Sequence, residues 1–187
     1  MDIQTAIINR RTIRRFLDKP IELDTLKKIV DLSRFYASAA NLQPIRFAII
    51  NQQPQLDGVF ETLRWAGYLP GFKIENDQRP TGYVVLYCDE KVKRSCQFDV
   101  GAAATTLMLA AEGEGLSTCC LASFNTEIIS RILSLPETQT PAMVIALGYP
   151  LQKSRAVEMR DDVKYFEDEN GCLCVPKRSF DEVAKVI

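Results

Sequence analysis

The chain contains no histidine, and that one absence removes a large part of enzyme chemistry. Ser-His-Asp and Cys-His nucleophilic machinery are excluded, as are histidine-ligated metal sites. The six cysteines are Cys88, Cys96, Cys119, Cys120, Cys172 and Cys174. None forms a C-x-x-C pair, so no zinc or iron–sulfur pattern exists and no metal is expected. No G-x-G-x-x-G occurs, which takes away the usual fingerprint of a dinucleotide-binding βαβ unit. No apolar run reaches the roughly 18 residues of a membrane helix, so no membrane association is expected. Met1-Asp2-Ile3 leads directly into helical sequence without a basic and then apolar leader. A cytoplasmic protein with reduced thiols is therefore the expectation. The net charge of -1 lacks the basic excess of nucleic-acid binders, and no nucleic-acid partner is expected.

What is present begins with an ordinary composition. With 187 residues, 47% of them hydrophobic, the chain has enough apolar surface for the core of one domain. Helical spacing marks about Asp2–Asn9, with Ile3, Ala6 and Ile7 on one face, and about Asp24–Tyr36, capped by its aspartate. A third helix is expected over about Pro54–Trp65, a strong alanine-rich one over Asp99–Glu112 and another over Thr126–Leu133. Ile45–Ile50, Tyr83–Cys88, Thr118–Ala122 and Met143–Leu147 read as strands. Asn170-Gly171, flanked by Tyr165-Phe166 and Leu173-Cys174-Val175, signals a hairpin, and Ser179 with Glu182 has capping-box spacing for a last helix. Cys88, Cys119 and Cys120 fall in apolar runs and are expected as small core residues; Cys172 and Cys174 receive no role. Helices mixed with strands argue for α+β, and two helices ahead of any strand do not look like a Rossmann unit.

Three segments carry chemistry. Arg10-Arg11-Thr12-Ile13-Arg14 offers permanent cations and a hydroxyl, suited to a small anion such as a phosphate. Arginines after a helix also complement its dipole, and nothing in this segment alone decides between the two roles. Ser38-Ala39-Ala40-Asn41-Leu42-Gln43-Pro44 supplies amide donors and acceptors together; such residues before a proline are equally common in turns. Gly148-Tyr149-Pro150 is followed by Lys153 and Arg155, either a second pair of anion ligands or a solvated exit from a strand.

Taken in this order, the segments resemble the nitroreductase family. The matching pieces are R-R-[ST]-x-R at Arg10–Arg14, S-x-x-N-x-Q-P at Ser38–Pro44, and G-L-x-T-C at Gly115–Cys119, after the alanine-rich helix. The likeness covers about residues 2–155. It divides the chain into a nitroreductase-like FMN-binding domain over 1–155 and a C-terminal extension of the same domain, hairpin and short helix, over 156–187. It implies an α+β sandwich with a central mixed, mainly antiparallel sheet flanked by helices, and two subunits interlocked as a homodimer with FMN between them. Arg10, Arg11 and Thr12 would serve the phosphate and ribityl chain, with Lys153 and Arg155 as the basic pair beside them. Arg14 would lie at the pyrimidine side of the ring. Ala37, Ser38 and Ala39 would approach the ring from the partner, with Asn41 and Gln43 shaping that loop. Ala122 and Ser123 match a backbone segment facing the reactive nitrogen of the flavin.

Two departures stand out: Ile45 replaces the tryptophan often found after Q-P, and Ala122-Ser123 replaces an acidic residue and glycine. Trp65, Tyr68 and Phe72 either cover the site or pack on their own core. The activity implied is hydride transfer from NADH or NADPH to FMN and then to a small organic acceptor, a nitroaromatic, a quinone or a related molecule. The alternative is a flavin-binding carrier or redox sensor without steady turnover. No side-chain acid is identified for catalysis.

Overall fold

The computed structural model describes residues 2–187. The four strands of the main sheet are β1 (Ile45–Ile50), β2 (Gly82–Asp89), β3 (Ser117–Leu121) and β4 (Gln139–Gly148). They lie in the order β1-β2-β4-β3, and every pairing is antiparallel. Strand side chains alternate between faces, and here both faces are covered. Val84, Leu86, Ile145 and Leu147 point to a core shared with helices α2 (Leu23–Ser33) and α4 (Gln97–Gly113). Tyr83, Val85, Val144 and Ala146 point to a second core, into which Val59 of helix α3 (Gln55–Phe60) and Ile129 of helix α5 (Thr126–Ile132) pack. Burial on both sides explains why β2 and the end of β4 read as unbroken apolar runs.

Helix α1 (Ile3–Asn9) starts one residue later than expected because Asp2 is its cap, its carboxylate accepting the Thr5 amide at 3.0 Å. Its expected apolar face is not buried within the chain: Ala6 is, but Ile3 and Ile7 are exposed. Helix α2 begins at Leu23, with Glu22 at the cap and Asp24 inside the first turn, so Asp24 does not cap it. Helix α3 ends at Phe60, short of the expected Trp65, and Thr62 bonds back to the Val59 carbonyl.

The parallel pairing lies outside the four central strands. A smaller sheet, ordered β5-β7-β6, joins β5 (Ser154–Glu158) in parallel to β7 (Leu173–Lys177), with β6 (Phe166–Glu167) antiparallel on β7's other side. A single parallel bridge, Thr12 to Thr118, runs along the β3 edge. The expected hairpin turn is present, with Gly171 at φ 70°. So is the reciprocal Ser179–Glu182 capping box of α6 (Phe180–Val183).

The expectation of reduced thiols is corrected for one pair. Cys88 near the end of β2 and Cys96 at the cap of α4 are joined as a disulfide, their Cα atoms 6.3 Å apart. The short β2–α4 connection folds back on itself and brings the two together. Cys119 is a core residue, as expected, and burial pushes its thiol up to about 12.

The arm carrying the arginines is fixed by backbone pairing. Ile13 donates to the Thr118 carbonyl at 3.0 Å, and Leu17 to that of Tyr149 at 2.8 Å. The arm is sealed by Phe16, fully buried against Gly148, where an added Cβ would stand 2.7–2.8 Å from the Phe16 side chain. Gly148 therefore serves close approach, not a turn. Gly148→Ala is expected to cost ~1–3 kcal/mol by overpacking; a wild-type midpoint in thermal denaturation would show that the arm yields freely.

Candidate functional site

Because residues 10–16 run along the β3–β4 edge, their side chains meet the C-terminal sheet. Arg10, Arg11, Thr12 and Arg14 line a small cavity of about 130 Å³ with Tyr165, Leu173, Val175 and Lys177. Arg14 is held twice: its amide donates to Gln152 Oε1 at 3.2 Å, and its guanidinium lies 4.6 Å from the centre of the Tyr165 ring. Gln152, buried, hands its other end to Glu167 at 3.1 Å, which also pairs with Arg15 at 3.2 Å. Arg11 donates to the Ile8 carbonyl at 2.9 Å, at the end of α1, while its Nε is buried without a partner.

The electrostatics of this cavity are unbalanced. Among the described residues, none of Arg10, Arg11, Arg14 and Lys177 forms an ion pair with a carboxylate. Burial, and then neighbouring Arg10, lower the proton affinity of Arg11; burial, Arg11 and Arg10 lower that of Lys177. Glu112 is the nearby acid, and burial pushes its carboxyl up despite Arg10 and Arg11. Crowded cations beside an orphaned guanidinium nitrogen fit an anion such as a phosphate monoester. The volume suits a small anionic group, since pockets for a complete ligand run to roughly 300–1,000 Å³.

Lys177 was not visible as a site residue in the sequence, being far from the other cations and outside any motif. Strand alternation puts it there. On β7, Leu173, Val175 and Lys177 share a face, and that face lines the cavity. Arg155 lies opposite Cys174 on the other face, 3.2 Å from Asp168. Lys153 is exposed just before β5, and its carbonyl accepts from Leu173. Tyr165 and Gln152 were also missed; an aromatic and an amide outside a motif carry no positional signal.

Loop 37–43 lies elsewhere. Ala37, Ala39, Asn41 and Gln43 are exposed, and Ser38 donates to Asp99 Oδ1 at 2.5 Å near the start of α4. Glu112, which senses Arg10 and Arg11, is in the last turn of the same helix. At ~1.5 Å per residue the two ends stand about 20 Å apart. Ala122 and Ser123 are exposed just beyond β3, the Ser123 carbonyl accepting from Arg64 at 3.1 Å. Of the three candidate cover residues, Trp65 packs on Phe60 at 5.8 Å and joins the second core. Tyr68 instead meets Tyr165, ring centres 5.2 Å apart, and Phe72 carries Arg15 at 4.5 Å. Tyr68 thus backs the Tyr165 ring on which Arg14 lies, while Phe72 serves Arg15.

A larger cleft of about 470 Å³, lined among others by Asp18, Asn51, Asp57 and Arg79, holds none of the motif residues. There Arg79 is already paired with Asp57 at 3.1 Å, so no cation is free for a phosphate. Among the described residues, no helix is long and apolar enough to cross a membrane.

Comparison with known proteins shows the family and the fold. A protein of Methanothermobacter thermautotrophicus with the provisional name NADH dehydrogenase/NAD(P)H nitroreductase is 25% identical, over 86% of this chain and 84% of its own. The 4-nitrobenzoate reductase of Pseudomonas putida is 23% identical, over 85% and 90%. Among solved structures, a Parabacteroides distasonis protein with the same provisional name superposes with a TM-score of 0.70 at 27% identity, over 90% of this chain and 99% of that one. Residues 7–149, which contain the arginine arm, the Ser38 loop and Gly148, match the nitroreductase family. The chain belongs to the nitroreductase family of FMN-dependent NAD(P)H oxidoreductases.

Proposed function

We propose that the protein acts as a homodimer binding FMN between its subunits, oxidising NADH or NADPH and reducing a small organic acceptor of the nitroaromatic or quinone type. The observation that carries this reading is the cavity of four cations without a carboxylate partner. An Exiguobacterium sibiricum relative of the same fold has been solved in complex with FMN, and the donor set here suits that cofactor's phosphate. FMN, when bound, supplies the hydride chemistry, so the protein has to bind, orient and tune it.

Each group has a task in this reading. Arg10, Arg11, Thr12 and Lys177 hold the phosphate, with Lys153 beside them. Arg14, kept in place by Gln152 and Tyr165, presents a fixed positive charge to the ring. Ala37, Ser38, Ala39, Asn41 and Gln43 form the opposing wall, and the exposed backbone at Ala122–Ser123 closes the third side. Arg155 contributes less than the other cations because Asp168 already engages it. Dependence on NAD(P)H suits the cytoplasm.

The geometry supports a second copy of the chain in the site. The Arg14 end and the Ser38 end of the site are separated by the length of α4, so both reach one ring if different subunits supply them. The surface fits this. Phe98, in the first turn of helix α4, is 90% exposed. Ile3, Ile7 and Ile8 of α1, Phe35, and Phe180 and Val183 of α6 are exposed as well. This uncovered apolar surface supports an interface between copies of the chain.

The purified protein is expected to be yellow, to release FMN in a one-to-one ratio with chain, and to scatter light as a dimer. Rapid bleaching by NAD(P)H would accompany turnover. Recovery of FAD, no flavin after reconstitution, or a flavin-loaded monomer of full activity would each overturn the shared FMN site.

A further inference from the structure

We infer that Asp99 is a positioning residue for loop 38–43, setting the shape of the cofactor-facing wall through Ser38 without touching the cofactor. This rests on the flavin reading above. The loop has an unusual backbone: Ala40, Asn41 and Gln43 have φ of 51°, 54° and 50°. Residues other than glycine rarely occupy this region, and keep it only where the surroundings impose it. None of the three side chains is anchored in the core; all are exposed.

The constraint comes from beneath. Ser38 Oγ accepts the Gln43 amide at 3.0 Å, pinning one end of the loop to the other. The same hydroxyl donates to Asp99 Oδ1 at 2.5 Å, and Asp99 Oδ2 accepts from Lys93 Nζ at 2.7 Å. Asp99 is 2% exposed. A hydroxyl has one proton, and an ionised carboxylate is acceptor only. With its proton committed to Asp99, Ser38 offers lone pairs to the Gln43 amide, and the loop closes in one way. Burial raises the Asp99 carboxyl, but hydrogen bonds from Lys93 and Ser38 outweigh it and hold the group below its usual range. A buried ion pair is a poor device for stability alone, since apolar residues often serve as well. One that orients a hydroxyl under a strained loop fits the task of holding shape.

Asn in place of Asp99 exposes the mechanism. Both carboxylate oxygens accept, so an amide must aim an NH2 at either Lys93 or Ser38. Facing the ammonium is repulsive, so the NH2 turns to Ser38, whose hydroxyl then loses its acceptor. The closure onto Gln43 loosens.

The test is titration of FMN into apo wild type, Asp99→Asn, Ser38→Ala and the double variant, with apo melting measured alongside. Each single change is expected to raise the dissociation constant by about ten- to a hundredfold, the scale of a misplaced binding group. The double variant should be no worse than the weaker single one, because both cut the same relay. Ser38→Thr, which keeps the hydroxyl, should restore affinity towards wild type. Should Asp99→Asn fail to fold, Lys93→Met takes its place in the same cycle. Wild-type affinity in the Asp99 and Ser38 variants, or losses that simply add, would overturn the inference while leaving the flavin reading intact. A wild-type protein that binds no FMN would remove both.

Discussion

Arg10→Met combined with Arg11→Met is expected to raise the dissociation constant for FMN by about two to four orders of magnitude. A lost charged hydrogen bond costs ~1.5–3 kcal/mol, two are removed, and each 1.4 kcal/mol is about tenfold. The apo fold should tolerate the change. Arg11 gives up its bond to the Ile8 carbonyl at the end of α1, but its crowding against Arg10 and Lys177 is relieved. Apo melting should therefore move little. Lys177→Met, on the cavity face of β7, should weaken binding more than Arg155→Met, on the opposite face and paired with Asp168. Fluorescence titration of apo protein at one fixed salt concentration measures all three, since surface charge effects are screened by ions. An unchanged affinity in the double arginine variant would remove the arm from the site. A larger loss at Arg155 than at Lys177 would return the phosphate to the Lys153–Arg155 pair.

Arg14→Met is expected to act on chemistry more than on binding. The phosphate carries the same charge in oxidised and reduced FMN, whereas negative charge appears on the ring only on reduction. A fixed cation there favours the reduced form differentially, and only differential stabilisation changes rate and potential. A loss of ~1.5–3 kcal/mol corresponds to a midpoint potential lower by about 30–65 mV for a two-electron couple. Reduction by NAD(P)H should slow in step. The backbone bond from Arg14 to Gln152 survives the substitution, so the arm keeps its path. Tyr165, a half-buried ring, loses a cation worth ~0.5–2 kcal/mol, and a small drop in melting temperature should accompany the effect. Spectroelectrochemical titration of the flavin-loaded variant decides the matter, with Arg10→Met as control, whose potential should stay near wild type once the site is filled. An unchanged potential in Arg14→Met would place that guanidinium away from the ring.

Local signals made the central sheet legible. Its four strands were readable because burial on both faces leaves unbroken apolar runs such as Tyr83–Cys88 and Met143–Leu147. The long α4 was readable from its alanines and leucines, and the last helix from its capping box. Boundaries were less so: α3 ends at Phe60, not Trp65.

Part of the candidate site was legible for the same reason. Arg10–Arg14 and Ser38–Pro44 are contiguous, so their chemistry is written in one stretch of chain. By itself the sequence determined the α+β class, the family, the exclusion of histidine chemistry and the identity of the arginine arm. Tertiary structure alone decided the rest, because it depends on which residues distant in sequence face one another. A two-residue period puts Lys177 with Arg10 and Arg11 and turns Arg155 towards Asp168. A tight β2–α4 connection joins Cys88 to Cys96. The first turn of α4 sets Asp99 under Ser38, 61 positions away along the chain, and no local pattern encodes that meeting.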